Sequence, residues 1–266
     1  MLFLSFLAVN LLALFYTVRV SRYRTRSGIV LRRKATPTGD VVLSLLTPEG
    51  KLRGVARAGA KNSLAAKVNL FHHLTVQVYL RPGNDMALLS EIILEGALER
   101  LTQPEVYPYA HWLAELADKL YAEDDHVGQA GFELVSGGLR GLARHEDPNR
   151  VALVMAWKLL GAHGLYPRVS SCPDTGQTDC VRFDVQRGSI SAQSGLQIGE
   201  DAIWELRRIQ AQTVREILLE PLESSTRQAL WRILEPYIAT HVGSMQAWAV
   251  VKEQFETKTF GIVSQS

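Results

Sequence analysis

The sequence predicts a multi-domain α+β protein, in which an N-terminal five-stranded β-barrel of OB type precedes an all-helical body with an irregular insertion. Five short runs rich in Val, Leu and Ile fall between residues 27 and 101, which is typical of strands. After Pro104 the apolar residues recur at spacings of three and four, the period of a helix. The stretch 166–200 is instead rich in Ser, Asp, Gly and Gln, which indicates an irregular subdomain.

Turn-forming residues separate the predicted strands. Two segments are typical of hairpin connections: Thr38-Gly39-Asp40 and Pro48-Glu49-Gly50-Lys51. Residues 81–85 form a third cluster of residues that interrupt strands. In the fourth run the apolar residues alternate, as a half-buried strand requires. One longer connection, between the third and fourth strands, suits a small Greek-key barrel of OB type. The predicted strands are 28–31, 41–46, 52–56, 74–80 and 87–94.

Four apolar stripes predict the helical body. The first runs from His111 to Tyr121, and the second begins at the cap pair Asp147-Pro148 and stops at Gly161 or Gly164. The third extends from Ile203 to Ile217, and the fourth begins at Leu230. The predicted domains are an extension (1–21), the barrel (22–101), a helical domain in two parts (102–165 and 201–256), the insertion (166–200) and a frayed tail (257–266).

Charge is divided unevenly along the chain. Up to Arg81 there are thirteen Lys or Arg residues against two acids, and the remainder has sixteen against twenty-five, so the formal net charge of +2 hides a basic barrel and an acidic body. Cations spread over a folded sheet can replace the counterions of a nucleic-acid backbone. The predicted DNA-binding residues are Arg24, Arg26, Arg32, Arg33, Lys34, Lys51, Arg53, Arg57, Lys61, Lys67 and Arg81.

Two segments of this basic region have a structural as well as a functional interpretation. The glycine-containing stretch 57–63 combines a flexible backbone with Arg57 and Lys61, which suits a phosphate oxygen, although such a stretch is also an ordinary loop. The run 32–34 is either a solvated face or a contact surface. Because the barrel segment has few aromatic residues, essentially Phe71 and Tyr79, phosphate contact is expected to dominate over base stacking. His72-His73 is interpreted as a packed, hydrogen-bonded pair rather than a metal site.

No catalytic motif is visible: there is no phosphate-binding Gly-rich loop followed by Lys and Ser or Thr, no nucleophile elbow and no His-Glu-x-x-His pair. We therefore expect no enzymatic activity and no small-molecule substrate. Two cysteines in a chain of this length do not form a secreted disulfide framework, which favours the cytoplasm.

Residues 2–18 form an apolar run close to the roughly 20 residues that span a bilayer. No positive residue precedes the run and no Ala-x-Ala site follows it, so a cleavable signal peptide is disfavoured. If the run spans a membrane, the arginines from Arg19 onward would hold the rest of the chain in the cytoplasm. The alternative is a start codon assigned too early, with a soluble protein beginning near Val20.

Taken in order, these features resemble those of the bacterial recombination-mediator family RecO, over about residues 24–248. The likeness is carried by the segments 27–30 (SGIV), 46–51 (LTPEGK), 56–57 with its Gly-rich continuation, 69–73 (NLFHH), 76–79 (VQVY), 158–161 (KLLG) and 164–172. The resemblance implies an OB-fold that binds single- and double-stranded DNA, anneals complementary strands, and works at the nucleoid with RecR and the single-stranded-DNA-binding protein to load RecA. It also implies a groove for the acidic tail of the latter protein, around Leu139, Arg140 and Arg144.

Many members of this family carry a four-cysteine zinc site in the insertion. Cys172 matches the first ligand position, but Thr175, Ser191 and Ser194 stand at the others, and Cys180 falls off the spacing. A structural zinc ion needs four nitrogen or sulfur ligands. The sequence therefore predicts a degenerate zinc-finger-like insertion without zinc and without any cofactor.

Two other functions remain open. An OB barrel with a positive sheet could follow an RNA backbone, as in an RNA-binding or ribosome-associated protein. A membrane-tethered interaction protein would instead be built on residues 2–18.

Overall fold

A computed structural model describes residues 23–57, 68–80, 86–123 and 127–260. The apolar run 2–18 lies outside these residues, so both interpretations of it stay predictions. Within the described ranges, no helix combines the length and the apolar character needed to cross a membrane.

Five strands close the predicted barrel. They are β1 (Tyr23–Ala35), β2 (Val41–Thr47), β3 (Gly50–Ala56), β4 (His73–Tyr79) and β5 (Ala87–Gly96). Their order is β1-β2-β3-β5-β4, and β3 and β5 form the parallel pair. A five-stranded closed barrel in this order is OB-like. The predicted fold class of an OB-type barrel followed by a helical body is thus confirmed.

The first strand is much longer than the predicted 28–31. Its N-terminal half pairs with β4 and its C-terminal half with β2, and a bulge lies between Val30 and Arg32. Such a bent strand is paired on both sides and so closes the barrel. The apolar pattern detected the buried centre alone, because the flanking residues of β1 are largely exposed and polar.

Side chains alternate between the barrel interior and the surface that meets the helices. Val41, Leu43 and Leu45 of β2 point inward, and all three are almost completely buried in the barrel core. On the opposite face, Leu46 joins Ile29 and Leu31 in the hydrophobic core of the helical body. One face of β1 and β2 therefore closes the barrel, while the other fixes the barrel to the helices.

The described residues form seven α-helices after a short 3-10 turn at Glu99–Thr102. The helices are α1 (Tyr107–Leu120), α2 (Gly128–Arg144), α3 (Pro148–Ala162), α4 (Glu200–Ala211), α5 (Val214–Leu219), α6 (Ser224–His241) and α7 (Trp248–Phe260). Asp147 caps α3 as predicted, accepting a hydrogen bond from the amide of Arg150 at 3.0 Å. Nearly every residue of α3 is buried, which makes it the centre of the body.

Three helical predictions are corrected. Helix α2 was missed because its five glycines lower the intrinsic helix propensity. The single stripe from Ile203 to Ile217 is two helices, because Thr213 forms a capping box with Glu216 and starts α5. The helix predicted to begin at Leu230 begins earlier, at Ser224, and is followed by a further helix, α7, whose Trp248 ring lies 5.5 Å from Trp231 and 6.3 Å from Trp112.

The insertion is more regular than predicted. Strands β6 (Arg182–Asp184), β7 (Ser189–Ser191) and β8 (Leu196–Gln197) form an antiparallel sheet with β6 in the centre. Phe183 of β6 is fully buried and packs edge-on against Tyr237 of α6, with ring centroids 5.8 Å apart. The Tyr237 hydroxyl donates to the Leu165 carbonyl at 2.9 Å. The insertion and both parts of the helical domain therefore share one core.

Gly28 marks a close approach of β1 to β2. A Cβ atom added there would lie 2.5 Å from the Leu46 carbonyl oxygen and 2.8 Å from Thr47 Cγ2. We predict that Gly28→Ala lowers the free energy of unfolding by about 1–3 kcal/mol, because backbone must move to admit the methyl group. Urea denaturation followed by circular dichroism measures this loss.

Gly137→Ala is the matched control, since a Cβ at this helical position meets nothing within 4 Å. It should leave stability unchanged or raise it by up to about 1 kcal/mol. If the two variants unfold at the same urea concentration, the barrel tolerates the methyl group at Gly28 and the prediction is wrong.

Candidate nucleic-acid interface

The basic residues of the barrel lie on more than one surface. Arg24 and Arg26 sit directly opposite Val78 and Val76, which point into the barrel. Opposed residues of an antiparallel pair share a face, so both arginines extend across the open end of the barrel. This position follows from the strand register, which cannot be read from the sequence alone.

A cleft of about 430 Å³ opens at this end, between the start of β1 and the β2–β3 hairpin. We call it the basic cleft. Arg24, Arg26, Lys51 and Arg53 line it, together with two acids and a few apolar residues. Its concentration of guanidinium groups suits a phosphate-bearing strand, because Arg pairs with phosphate through two parallel hydrogen bonds.

The two acids of the basic cleft are partners of its arginines. Glu49 lies 3.5 Å from Arg26, and Glu123 lies 3.8 Å from Arg53. Both pairs are partly exposed to solvent and therefore contribute little stability. A phosphate can replace such a carboxylate beside the arginine at a small cost in free energy. The two pairs therefore weaken the positive potential of the cleft but leave it accessible to a phosphate.

Lys51 is held inside the protein. Its ammonium donates to the Asp118 carbonyl at 2.6 Å and lies 3.4 Å from the Asp118 carboxylate, and its side chain is only 12% exposed. Ser44 donates to the same carboxylate at 2.7 Å. Since Asp118 belongs to α1, Lys51 joins the barrel to the helical body. The structure thus places this predicted DNA-binding residue mainly in an internal contact.

The run 32–34 does not form one contact surface. Arg32 and Lys34 are opposite Ser44 and Val42 on the outer face of β2, whereas Arg33 is opposite the interior-facing Leu43. Arg33 is half-buried, and its Nε finds no hydrogen-bond partner among the described residues. Arg32 and Lys34 are exposed, as is Arg57 at the end of β3. Lys61, Lys67 and Arg81 lie outside the described residues.

The sequence reasoning missed the exposed Tyr23. Its side chain is 55% exposed and packs against Tyr79 of β4, with ring centroids 5.0 Å apart and an interplanar angle of 37°. Phe71, by contrast, is buried beside Tyr107. Tyr23 stands at the first residue of β1, which was predicted to begin five residues later. The pairing register of β1 with β4 was the missing information.

The adjacent histidines are hydrogen-bonded, as predicted. His72 Nδ1 accepts from the Asn69 amide at 3.2 Å, and His73 Nε2 lies 2.9 Å from the Ser27 hydroxyl. Partial burial lowers the pKa of His72, which keeps its ring neutral at physiological pH. This residue therefore adds no positive charge to the interface.

An apolar groove of about 190 Å³ lies between the barrel and α2. Phe71, Leu98 and Phe132 are among its lining residues. Leu139 is almost completely buried at its floor, and the exposed Arg140 stands at its rim. Arg144 is exposed one turn further along α2 and is not part of the lining.

Both cysteines of the insertion are buried, with free thiols. Polar groups around Cys172, the Thr175 hydroxyl foremost, lower the pKa of its thiol to about 7. Burial raises the pKa of the Cys180 thiol. Hydroxyl groups occupy the remaining predicted ligand positions, and Ser194 bonds to Ser191 at 3.1 Å and to Asp184 at 2.8 Å.

This donor set does not fit structural zinc. Zinc prefers thiolate and imidazole ligands, whereas the described residues contain no cluster of three or more His, Cys, Asp or Glu side chains that could hold a metal ion. The prediction that the insertion is supported by packing instead agrees with its buried Phe183 and Ile190.

Comparison with known proteins identifies the family. The family model described as Recombination protein O N terminal matches residues 21–97, and Recombination protein O C terminal matches residues 101–248. The chain belongs to the RecO family. The first range covers the barrel, and the second covers the helical body with its insertion. The resemblance found in the sequence is thus confirmed.

Individual RecO proteins are distant relatives. The DNA repair protein RecO of Leuconostoc citreum is 25% identical over 246 residues, which cover 84% of this chain and 92% of that protein. The proteins of the same name from Bacillus subtilis (strain 168) and Roseiflexus sp. are 30% and 29% identical over 54% and 58% of the chain. The chain spans only 57% and 54% of the length of those two RecO proteins.

The positions of the cations in this RecO-family chain predict that stability and DNA affinity depend on different basic residues. Lys51→Met should lower the free energy of unfolding by about 1–3 kcal/mol, because it removes a charged hydrogen bond between barrel and body. Arg32→Ala with Lys34→Ala should leave stability nearly unchanged and weaken DNA binding. Urea denaturation and fluorescence anisotropy with a labelled oligonucleotide measure the two effects.

Each variant is the control for the other, because the first should change stability and the second should change DNA affinity. A stable Lys51→Met variant with strongly reduced DNA affinity would contradict the assignment of Lys51 to the internal contact.

Proposed function

We propose that this protein is a non-enzymatic, DNA-binding recombination mediator that anneals complementary single strands in DNA repair. The observation that carries the proposal is the basic cleft at the open end of an OB-like barrel, in a chain matched by RecO models over both of its parts. The relatives named DNA repair protein RecO support the role in repair. We place its action in the cytoplasm, at the nucleoid.

The chemistry of the cleft supports binding to the DNA backbone. Arg24, Arg26 and Arg53 can each contact phosphate oxygens without regard to base sequence. Sequence-independent contact is what annealing requires, because both complementary strands must be held and then released into a duplex. Tyr23 and Tyr79 lie at the same end of β1 and β4, where stacking on a base would add about 1–3 kcal/mol per base.

We further propose that the protein works with RecR and the single-stranded-DNA-binding protein, and so helps to load RecA. The acidic tail of the single-strand binder would dock in the apolar groove beside α2, with Arg140 pairing with its carboxylates. The groove combines apolar lining with a cation at its rim, the two features that an acidic and apolar segment needs.

Annealing should depend on the basic cleft. We predict that Arg24→Ala with Arg53→Ala strongly slows annealing of complementary oligonucleotides, because phosphate contacts are lost. With about five phosphates neutralised, the affinity of the unaltered protein for a single strand should fall as roughly the −3.5 power of salt concentration. Fluorescence annealing assays and binding titrations at several salt concentrations measure both quantities.

Arg168→Ala with Arg215→Ala is the matched control, since it removes the same charge from exposed positions of the insertion and α5. It should anneal like the unaltered protein. A salt exponent near zero would reject the basic cleft as a DNA site, and tighter binding to RNA than to DNA in competition would favour the RNA-binding alternative.

Tail docking gives a second test. We predict that Arg140→Ala weakens binding of a labelled peptide with the sequence of the single-strand binder's acidic tail by about tenfold, or about 1.4 kcal/mol. Arg144→Ala should have a smaller effect, because Arg144 does not line the groove. Unchanged binding by the double variant, measured by anisotropy, would rule out this groove.

A further inference from the structure

An apolar row of side chains crosses the outer face of the barrel. Each member lies directly opposite the next one on a neighbouring strand, from β2 through β3, β5 and β4 to the start of β1. These residues, which we call the outer row, are Val42, Val55, Leu88, Tyr79 and Tyr23. Their strand neighbours Leu43, Ala56, Leu89 and Val78 are buried in the barrel core. Because successive residues of a strand point to opposite faces, the outer row points away from that core.

The outer row is accessible to solvent. Its members on β2, β3, β5 and β4 are half-buried, and Tyr23 is 55% exposed. The rings of Tyr23 and Tyr79 are in contact, so one end of the row is aromatic. Leu80, which follows Tyr79, adds an exposed apolar side chain at this end. Single apolar residues are normal on a protein surface, but a contiguous series of them indicates a contact surface.

Basic residues flank the outer row. On β3, Arg53 lies two residues before the row, and Arg57 lies two residues after it. On β1, Lys34 is opposite the row and Arg32 lies two residues before Lys34. All four are exposed, and Glu123 lies 3.8 Å from Arg53 in the exposed pair of the basic cleft. Two residues along one face of a strand correspond to about 7 Å, so the cations lie close beside the apolar side chains.

This arrangement matches the chemistry of a single nucleic-acid strand. Each nucleotide joins a planar, largely apolar base to a charged phosphate. Cations beside the outer row can contact phosphates while the faces of bases lie on the tyrosines and on the aliphatic side chains. In a duplex the bases are paired and stacked on one another, so the phosphates are the main groups left for such a surface. The outer row is therefore suited to distinguish an unpaired strand from a paired one.

We propose that the outer row binds unpaired bases and makes the protein prefer a single strand to a duplex. This inference rests on the proposed binding of DNA and adds a second kind of contact to it. Tyr23 is the main contributor, because it is the most exposed ring of the row and precedes Arg24 of the basic cleft. When two strands pair, their bases leave the outer row, and the duplex is held by phosphate contacts alone. The product of annealing is then released more easily than either reactant.

The test compares three ligands of equal length on the full-length protein. They are a single-stranded oligonucleotide, an abasic strand that has the same phosphates without bases, and a duplex. Fluorescence anisotropy at one fixed salt concentration measures their affinities. We expect the unaltered protein to bind the single strand about tenfold more tightly than the abasic strand. Tyr23→Ala should lose this difference, or about 1.4 kcal/mol, and should bind the abasic strand and the duplex as the unaltered protein does.

Three further variants separate stacking from folding. Tyr23→Phe keeps the ring and should bind like the unaltered protein. Tyr23→Leu keeps an apolar contact with Tyr79 but no ring, so it should behave like Tyr23→Ala even if the smaller side chain disturbs the strand. Trp204→Ala removes an aromatic residue of similar exposure, 57%, from α4 and should change none of the three affinities. Circular dichroism checks that each variant is folded.

The results distinguish this inference from the proposed function. If the protein binds all three ligands in a salt-dependent manner, but Tyr23→Ala and Tyr23→Leu weaken them equally or not at all, the outer row does not bind bases. DNA binding through the basic cleft would then still stand. If the unaltered protein binds none of the three ligands, the proposed function fails and this inference fails with it.

Discussion

The contact of the barrel with helix α1 determines which cations of this protein can reach a ligand. Ile29, Leu31 and Leu46 on the outer face of β1 and β2 belong to the core of the helical body. Beside them, Asp118 accepts from Ser44 and from Lys51. The part of this outer face that packs on the helices cannot also be an open nucleic-acid surface. The open end of the barrel and exposed residues further along β1, such as Arg32 and Lys34, are therefore left for that role.

This constraint explains why the basic residues in the described part of the barrel do not form a single positive surface. Arg24, Arg26 and Arg53 meet at the basic cleft, whereas Arg33 turns toward the barrel interior. Glu49 and Glu123 moderate the cleft through exposed pairs that a competing phosphate can replace. We expect such a site to bind DNA in a strongly salt-dependent manner and to release it readily, which suits the strand annealing that we propose.

Much of the fold could be predicted from the sequence, and the reasons for the exceptions are physical. The barrel strands and α3 follow from apolar periodicity and from the cap at Asp147. Helix α2 was missed because glycines that admit close packing, such as Gly138 against Met155, also reduce local helix preference. The site depended on strand register, which decides that Arg26 faces the cleft and Arg33 the interior. Register is set by pairing between distant segments, so composition and spacing do not reveal it.

The insertion also has contacts that its sequence spacing does not reveal. Spacing suggested that Cys180 could not replace a lost ligand beside Cys172, because a Cys-x-x-Cys pair places two sulfurs on one tight turn. In three dimensions the loop is held by Arg207 of α4, which donates to the carbonyls of Val169 and Thr178, and by the turn at Gly176. Packing of Phe183 against Tyr237 anchors the small sheet to α6. A subdomain with hydroxyl groups at the predicted ligand positions can thus keep its shape through burial and hydrogen bonding.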